Sequence, residues 1–220
     1  MSIDTVSSNK ETEMKIIIFG ATGSIGRHLV GQALSQGHRV TAFARKPSAL
    51  KLDCPELTRQ AGDVLDGDTV NSAVEGHDAV LIALGAGRKG AVRSVGTKHV
   101  IDAMERYGVR RLVCQSTLGA GDSHALLNFF WKRIMFGLLL REALADHEAQ
   151  EEFVKKSNLD WIIVRPAAFT DGPAAGACKH GFPNSEKGLK LKISRADVAG
   201  FMLRQLSHDT YLRRSPGLSY

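Results

Sequence analysis

The chain has 220 residues, of which 43% are apolar and 24% charged, a globular balance with enough material for a core and too regular for a disordered or fibrous protein. Its formal charge of +6 comes from scattered cations with no basic run interleaved with aromatics, which argues against a nucleic-acid partner. Three widely spaced cysteines, Cys54, Cys114 and Cys178, form no CxxC pair, so neither a disulfide framework nor a metal site is expected and a reducing, cytoplasmic setting is. Residues 1–13 are polar, carry both signs of charge and lack the apolar stretch of a secretory signal, so a disordered tail is expected there.

Lys15 to Phe19 is a short β-branched run suited to a buried strand. Ile25 to Gln36 then carries Ile25, Leu29, Val30, Ala33 and Leu34 at helical spacing, with Gly37 placed to end the helix. Arg39 to Ala44 and Leu57 to Ala61 read as strands, and Thr69 to Val74 as a short helix closed by Gly76. Ala79 to Leu84 is the next strand, Val95 to Tyr107 a helix ended by Gly108, and Arg111 to Cys114 a strand. Ala143 to Ser157 reads as a helix and Trp161 to Val164 as a strand stopped by Pro166. A last helix, Val198 to Leu206, has Ser194 or Asp197 available as its cap. Strands separated by helices imply βαβ units. The expected fold is therefore α/β: a Rossmann-type, doubly wound, mainly parallel sheet with helices on both faces, in one domain over 14–220.

Between the first strand and first helix lies Gly20-Ala21-Thr22-Gly23-Ser24-Ile25-Gly26. One glycine there permits the sharp turn, one lets backbone approach a pyrophosphate, and one lets helix and strand pack closely. The helix N-terminus then offers N–H groups to an anion, with Thr22 and Ser24 adding hydroxyls. Glycines alone are a weak signal, but here strand, glycine turn, amphipathic helix and second strand follow in order, which is the context of a dinucleotide site. The second strand runs into Ala44-Arg45-Lys46 without a nearby acid. A carboxylate there would bind a ribose 2′-hydroxyl, whereas Arg45 and Lys46 suit a 2′-phosphate, so NADP (as NADPH) is expected over NAD. Solvated loop cations are the plainer alternative.

The stretches MKIIIFGATGSIGRHLV, VTAFARKPSAL, AGDVLDGDTV, GHDAVLIALGAG, DAMERYGVRRLVCQST and ISRADVAGFMLRQL together resemble the atypical short-chain dehydrogenase/reductases of the NAD(P)H-binding, NmrA-like group, and within it the biliverdin-IXβ/flavin reductase family. The resemblance implies an NADPH-dependent reductase whose acceptor is a flavin, a biliverdin-like tetrapyrrole or a quinone. It places Asp63 and Val64 beside the adenine, Ala83, Leu84 and Gly85 beneath the nicotinamide ribose with Gly87 close by, and Ser116 at the active-site serine with Thr117 as its neighbour. It also implies a second possibility, a non-catalytic redox-sensing regulator or assembly factor that keeps the nucleotide site. The sequence departs from the common short-chain dehydrogenase catalyst, because none of Tyr107, Tyr211 and Tyr220 is followed four positions later by lysine. An epimerase-like activity is disfavoured on the same ground.

His147 stands roughly where that tyrosine would be and is the candidate proton donor, with Glu151 one turn on to pair with it. An exposed helix histidine is the commoner alternative. Arg165 and Pro166 end a strand on the substrate side, where Arg165 meets either a substrate anion or a structural partner. Leu126 to Leu144 is an apolar segment, about ten residues longer than in the resembled reductases. Lys132, Arg133 and Arg141 leave only seven uncharged residues, Ile134 to Leu140, too few to span a bilayer. A lid, a protein contact, a membrane-surface helix and an ordinary core-facing helix all fit it. No feature points beyond a monomer or weak homodimer.

Overall fold

The computed structural model describes residues 13–85 and 91–220; the expected tail over 1–13, apart from Glu13, and Gly87 lie outside the described residues. The elements begin with β1 (Lys15–Phe19), α1 (Gly26–Ser35), β2 (Arg39–Ala44), β3 (Leu57–Ala61) and α2 (Gly67–Val74). They continue with β4 (Ala79–Ile82), α3 (Val92–Tyr107), β5 (Arg111–Gln115), α4 (Arg141–Lys156) and β6 (Asp160–Pro166). Short strands β7 (Ala168–Thr170), β8 (Lys179–His180), β9 (Lys192–Ser194) and β10 (Gly217–Ser219), with helix α5 (Arg195–Arg204) before β10, complete them.

The main sheet has the order β3-β2-β1-β4-β5-β6-β10-β8, parallel throughout except where β8 meets β10. Because the chain runs outward from β1 first one way and then the other, the order reverses between β1 and β4. Ligands bind at such a crevice, beyond the carboxyl ends of the strands. β1 alternates its side chains between two apolar layers. Ile16 and Ile18 join Leu29 and Val30 of α1 and Val198 and Met202 of α5 on one face. Ile17 and Phe19 join Val70 and Val74 of α2, Val100 and Met104 of α3 and Val154 of α4 on the other. Helices therefore cover both faces of one doubly wound sheet, as the alternation of strands and helices predicts.

Three helix starts are fixed by side chains. Asp66 accepts from the backbone N–H groups of Asp68 and Thr69 to cap α2, and the Ser194 hydroxyl accepts from Asp197 N to cap α5. The start of α3 is capped from another element: Asp146 of α4 accepts from Arg93 N at 3.1 Å and Ser94 N at 3.0 Å. Strand β6 does not stop before Pro166 but includes it, pairing there with Leu218 of β10. The expected strand over Ala79 to Leu84 ends at Ile82, which leaves Ala83 to Gly85 as the floor of the cleft. The four short strands β7–β10 carry no period long enough to read from sequence. β10 and β8 extend the main sheet, whereas β7 and β9 pair with each other in a separate two-stranded sheet, and the Tyr220 hydroxyl bonds Asp197 of α5. Among the described residues, no helix is long and apolar enough to cross a membrane.

Candidate functional site

The glycine turn follows β1 directly. Gly20 has φ +82°, and a Cβ there would run into the carbonyl of Ala83. A Cβ on Gly26 would strike the carbonyl oxygen of Gly20 and sit 2.8 Å from Ala21 Cα. These two positions therefore set the turn and the closeness of α1 to β1. Gly23 N donates to Gly20 O at 2.9 Å to close the loop. No side chain caps the start of α1; Arg27 N is bonded to Gly23 O at 3.0 Å, and the uncapped helix end beside it suits an anion. Gly23 and Ser24 are exposed and Thr22 half-buried beside this end, whereas Ile25 is buried in the core. Arg27, which the sequence reading missed, braces the loop by donating to Thr22 O and Ala49 O, both at 3.0 Å.

From this turn a cleft runs across the sheet in three connected parts. The first, of about 430 Å³, lies over the ends of β1, β2 and β3. Arg45, Asp63, Val64 and Ala83 to Gly85 line it. Arg45 is exposed at this wall, while Lys46, also exposed, does not contribute to it. Asp63 also holds a local turn, accepting from Leu65 N at 3.0 Å. The second part, about 140 Å³, is walled by Gly23, Ser24, Ile25, Ala83 to Gly85, Ser116 and His147. The third, about 310 Å³, is mainly apolar and is lined by Leu127, Trp131, Met135, Phe136, Leu140 and Phe169. Thr117, His147 and Phe169 border both of the last two, so these parts adjoin one another.

Ser116 is fully buried, and its hydroxyl donates to Glu151 Oε1 at 2.8 Å. With its proton committed there, the oxygen presents lone pairs and acts toward the cleft as an acceptor. Glu151 does not pair with His147. It is gripped by Arg165 through two bonds, Nε to Oε1 at 2.8 Å and Nη2 to Oε2 at 2.6 Å, and by Lys155 at 2.9 Å. Burial pushes the Glu151 carboxyl up, but the bonds and charge of Arg165 and Lys155 outweigh it and hold the carboxyl below its usual range.

Arg165 thus has a structural partner in place of a substrate anion. It is 1% exposed, bonds Asp122 at 2.6 Å through Nη1, and lies outside all three parts of the cleft. Pro166, expected on the substrate side, is buried in the sheet, where its carbonyl accepts from Leu118 N, and the neighbouring cleft wall is formed by Ala167 and Ala168. His147 is not the exposed helix histidine that α4 alone would suggest. It is buried against α3, with Nδ1 3.3 Å from Gln150 Oε1. Burial, helped by the charge of Arg93, pushes its pKa down to about 4. At neutral pH it is an uncharged imidazole, able to orient a ligand by a hydrogen bond but not to release an ionised proton. Among the described residues no group of His, Cys, Asp and Glu is placed to hold a metal ion.

A glycine turn against a topological switch point, opening on a buried serine and an apolar chamber, defines a Rossmann-type dinucleotide-binding protein. Residues 20–209 match the NAD(P)H-binding family, and the chain belongs to it. The "UPF0659 protein YMR090W" of Saccharomyces cerevisiae is 29% identical over 207 residues, covering 89% of this chain and 88% of that protein. The "Photosystem II assembly factor Ycf39" of Synechocystis is 28% identical over 218 residues, 92% of this chain but only 61% of its own length. Among solved structures, ChuY of Escherichia coli O157:H7, described as an "anaerobillin reductase", superposes with a TM-score of 0.76 at 27% identity, covering 93% of this chain and 96% of that one. The family is of oxidoreductase type, and the residues of the cleft fit its nicotinamide dinucleotide.

Proposed function

We propose that the protein is an NADPH-dependent reductase of a conjugated, redox-active acceptor, a flavin, a biliverdin-like tetrapyrrole or a quinone. The observation that carries this reading is the order of the cleft: the phosphate turn, Ser116 and an apolar aromatic-walled chamber lie side by side and share wall residues. NADPH supplies a hydride when bound. The turn at Gly20 to Gly26 holds the pyrophosphate, Arg45 selects the 2′-phosphate, and Ala83 to Gly85 floor the cleft by backbone. Ser116, held by Glu151, accepts a hydrogen bond and fixes the orientation of the reacting ring. Trp131, Phe136 and Phe169 exclude water and offer flat faces to a planar acceptor. His147 lies buried beside Gln150 and burial favours its neutral form, so solvent is the proposed source of the balancing proton.

Arg45→Ala is expected to weaken NADPH binding roughly 10- to 100-fold, the worth of charge-assisted bonds to a phosphate, with NADH binding little changed. Titrating both cofactors against wild type and variant reads this directly, and equal losses for the two would remove Arg45 from the 2′-phosphate. The function itself is tested by mixing the protein with NADPH and, separately, FMN, biliverdin and a simple quinone, following absorbance of the reduced nicotinamide. Turnover is expected with at least one acceptor. Ser116→Ala should then lower kcat by roughly 10- to 100-fold through misplacement of the reacting ring, while NADPH affinity changes little. Tight NADPH binding without any turnover would instead favour a sensing or assembly role, the reading that the likeness to Ycf39 supports.

A further inference from the structure

The segment between β5 and α4 has two faces with different uses. Residues Phe130–Leu139 are wound as a π-helix, and the turn closes by Leu140 N donating to Met135 O, five residues back. Leu127, Trp131, Phe136 and Leu140, spaced by four or five residues, face inward and wall the apolar chamber. The opposite face carries Phe129, Phe130, Ile134, Leu138 and Leu139, all exposed. Phe129 is 74% and Leu138 75% accessible. Single exposed apolar residues are ordinary, but five gathered on one short helix are not scattered, and grouped exposed apolar side chains are what contact surfaces show.

Charge selects among contacts. From Ser123 to Arg141 the sequence holds Lys132, Arg133 and Arg141 and not one aspartate or glutamate. Arg133 and Arg141 are exposed, and half-buried Lys132 donates to Ala125 O at 3.2 Å. The strip carries three cations within its length and meets acids only at its two ends, Asp122 and the exposed Glu142, so its middle complements a layer with an apolar interior and anionic headgroups. Five side chains are also well short of the roughly 800 Å² per partner that a stable protein interface buries.

We propose that this face docks on an anionic lipid surface, with Phe129, Phe130, Ile134, Leu138 and Leu139 entering the acyl boundary and Arg133 and Arg141 meeting the phosphates. The same helix then separates the lipid from the chamber by one side-chain layer. Docking stands without the reductase reading. That the acceptor is a lipid-dissolved molecule, a quinone in preference to a water-soluble flavin, rests on that reading.

Flotation of the full chain with vesicles tests docking without any cofactor. Vesicles of phosphatidylcholine with about a third phosphatidylglycerol are expected to carry the protein up, and pure phosphatidylcholine to carry far less, since each basic contact contributes roughly fivefold at low salt. The double variant Phe129→Ser with Leu138→Ser, both outside the chamber wall, should lose at least about tenfold in vesicle binding. Its melting temperature and NADPH affinity should match wild type. No flotation on anionic vesicles, or equal flotation of the variant, overturns the proposal. So does sedimentation showing a wild-type dimer that the variant lacks, which would give this face to a second copy of the chain. Turnover with soluble acceptors reads the reductase assignment separately, so the two can fail independently.

Discussion

Glu151→Ala is expected to destabilise the protein by about 3–5 kcal/mol, the loss typical when one member of a buried ion pair is removed. The Arg165 and Glu151 side chains are 2% and 3% exposed, and the two bonds between them are side by side. Without the carboxylate, the Arg165 guanidinium keeps only Asp122, whose own side chain is 69% exposed. The Ser116 hydroxyl loses its acceptor in the same step. Glu151→Gln keeps the volume and one acceptor, so it should lose less.

The pH dependence follows from the sign of the shift. The Glu151 carboxyl is held below its unfolded value, so its contribution is complete above the ordinary carboxylate range and disappears as pH falls through the depressed folded value. Asp122 is lowered as well; partial burial pushes it up, and the bonds from Arg165 and Asn184 outweigh this, so it adds in the same direction. Urea unfolding across pH should therefore show a steep loss of stability below about pH 4 in wild type and a shallower one in Glu151→Ala. A change under about 1 kcal/mol at neutral pH would mean that the pair does not hold β6 against α4.

Gly26→Ala should remove NADPH binding to below roughly one part in a hundred of the wild-type affinity, because the helix start can no longer approach the turn. The added methyl meets backbone, the Gly20 carbonyl and Ala21, and backbone cannot swing aside as a flexible side chain does. Overpacking of this kind also costs about 1–3 kcal/mol of stability. Gly31→Ala is the internal control, in the same helix but with nothing within 4 Å of the added methyl. It should leave binding intact and raise stability by about 0.5–1 kcal/mol through helix propensity alone. Calorimetric binding and thermal melts of the two variants separate loss of the turn from loss of the helix.

How far the sequence could be read depended on how local each feature is. The turn at Gly20 to Gly26 is one contiguous strand–turn–helix unit, and its role follows from neighbours in the chain. The first five strands are four to six residues long, and all but β3 are mostly buried, so they stand out in the chain. The strands after β6 span two or three residues each, and β10 exists only because β6 offers it an edge. Arg165 was ambiguous because its partners arrive from 14 and 43 positions away. His147 was misleading for a different reason. The inward face of α4 carries Asp146, His147, Gln150 and Glu151, so a reading that equates polar with exposed turns the helix the wrong way. Those buried polar groups cap α3 and hold Ser116, uses that only the packed neighbours reveal.

The two halves of the cleft are built from different material. The cofactor half is largely backbone, shaped by Gly20 and Gly26, where an added Cβ would strike backbone, and by strand ends that the whole sheet fixes. Much of the chamber's wall is side chains from a single connection between β5 and α4. A descendant of this gene could lengthen, shorten or re-register that one connection and receive a different molecule, while its dinucleotide half passed on unaltered. Divergence within such a lineage would then be recorded in the connection's length and aromatic content sooner than in the glycine turn.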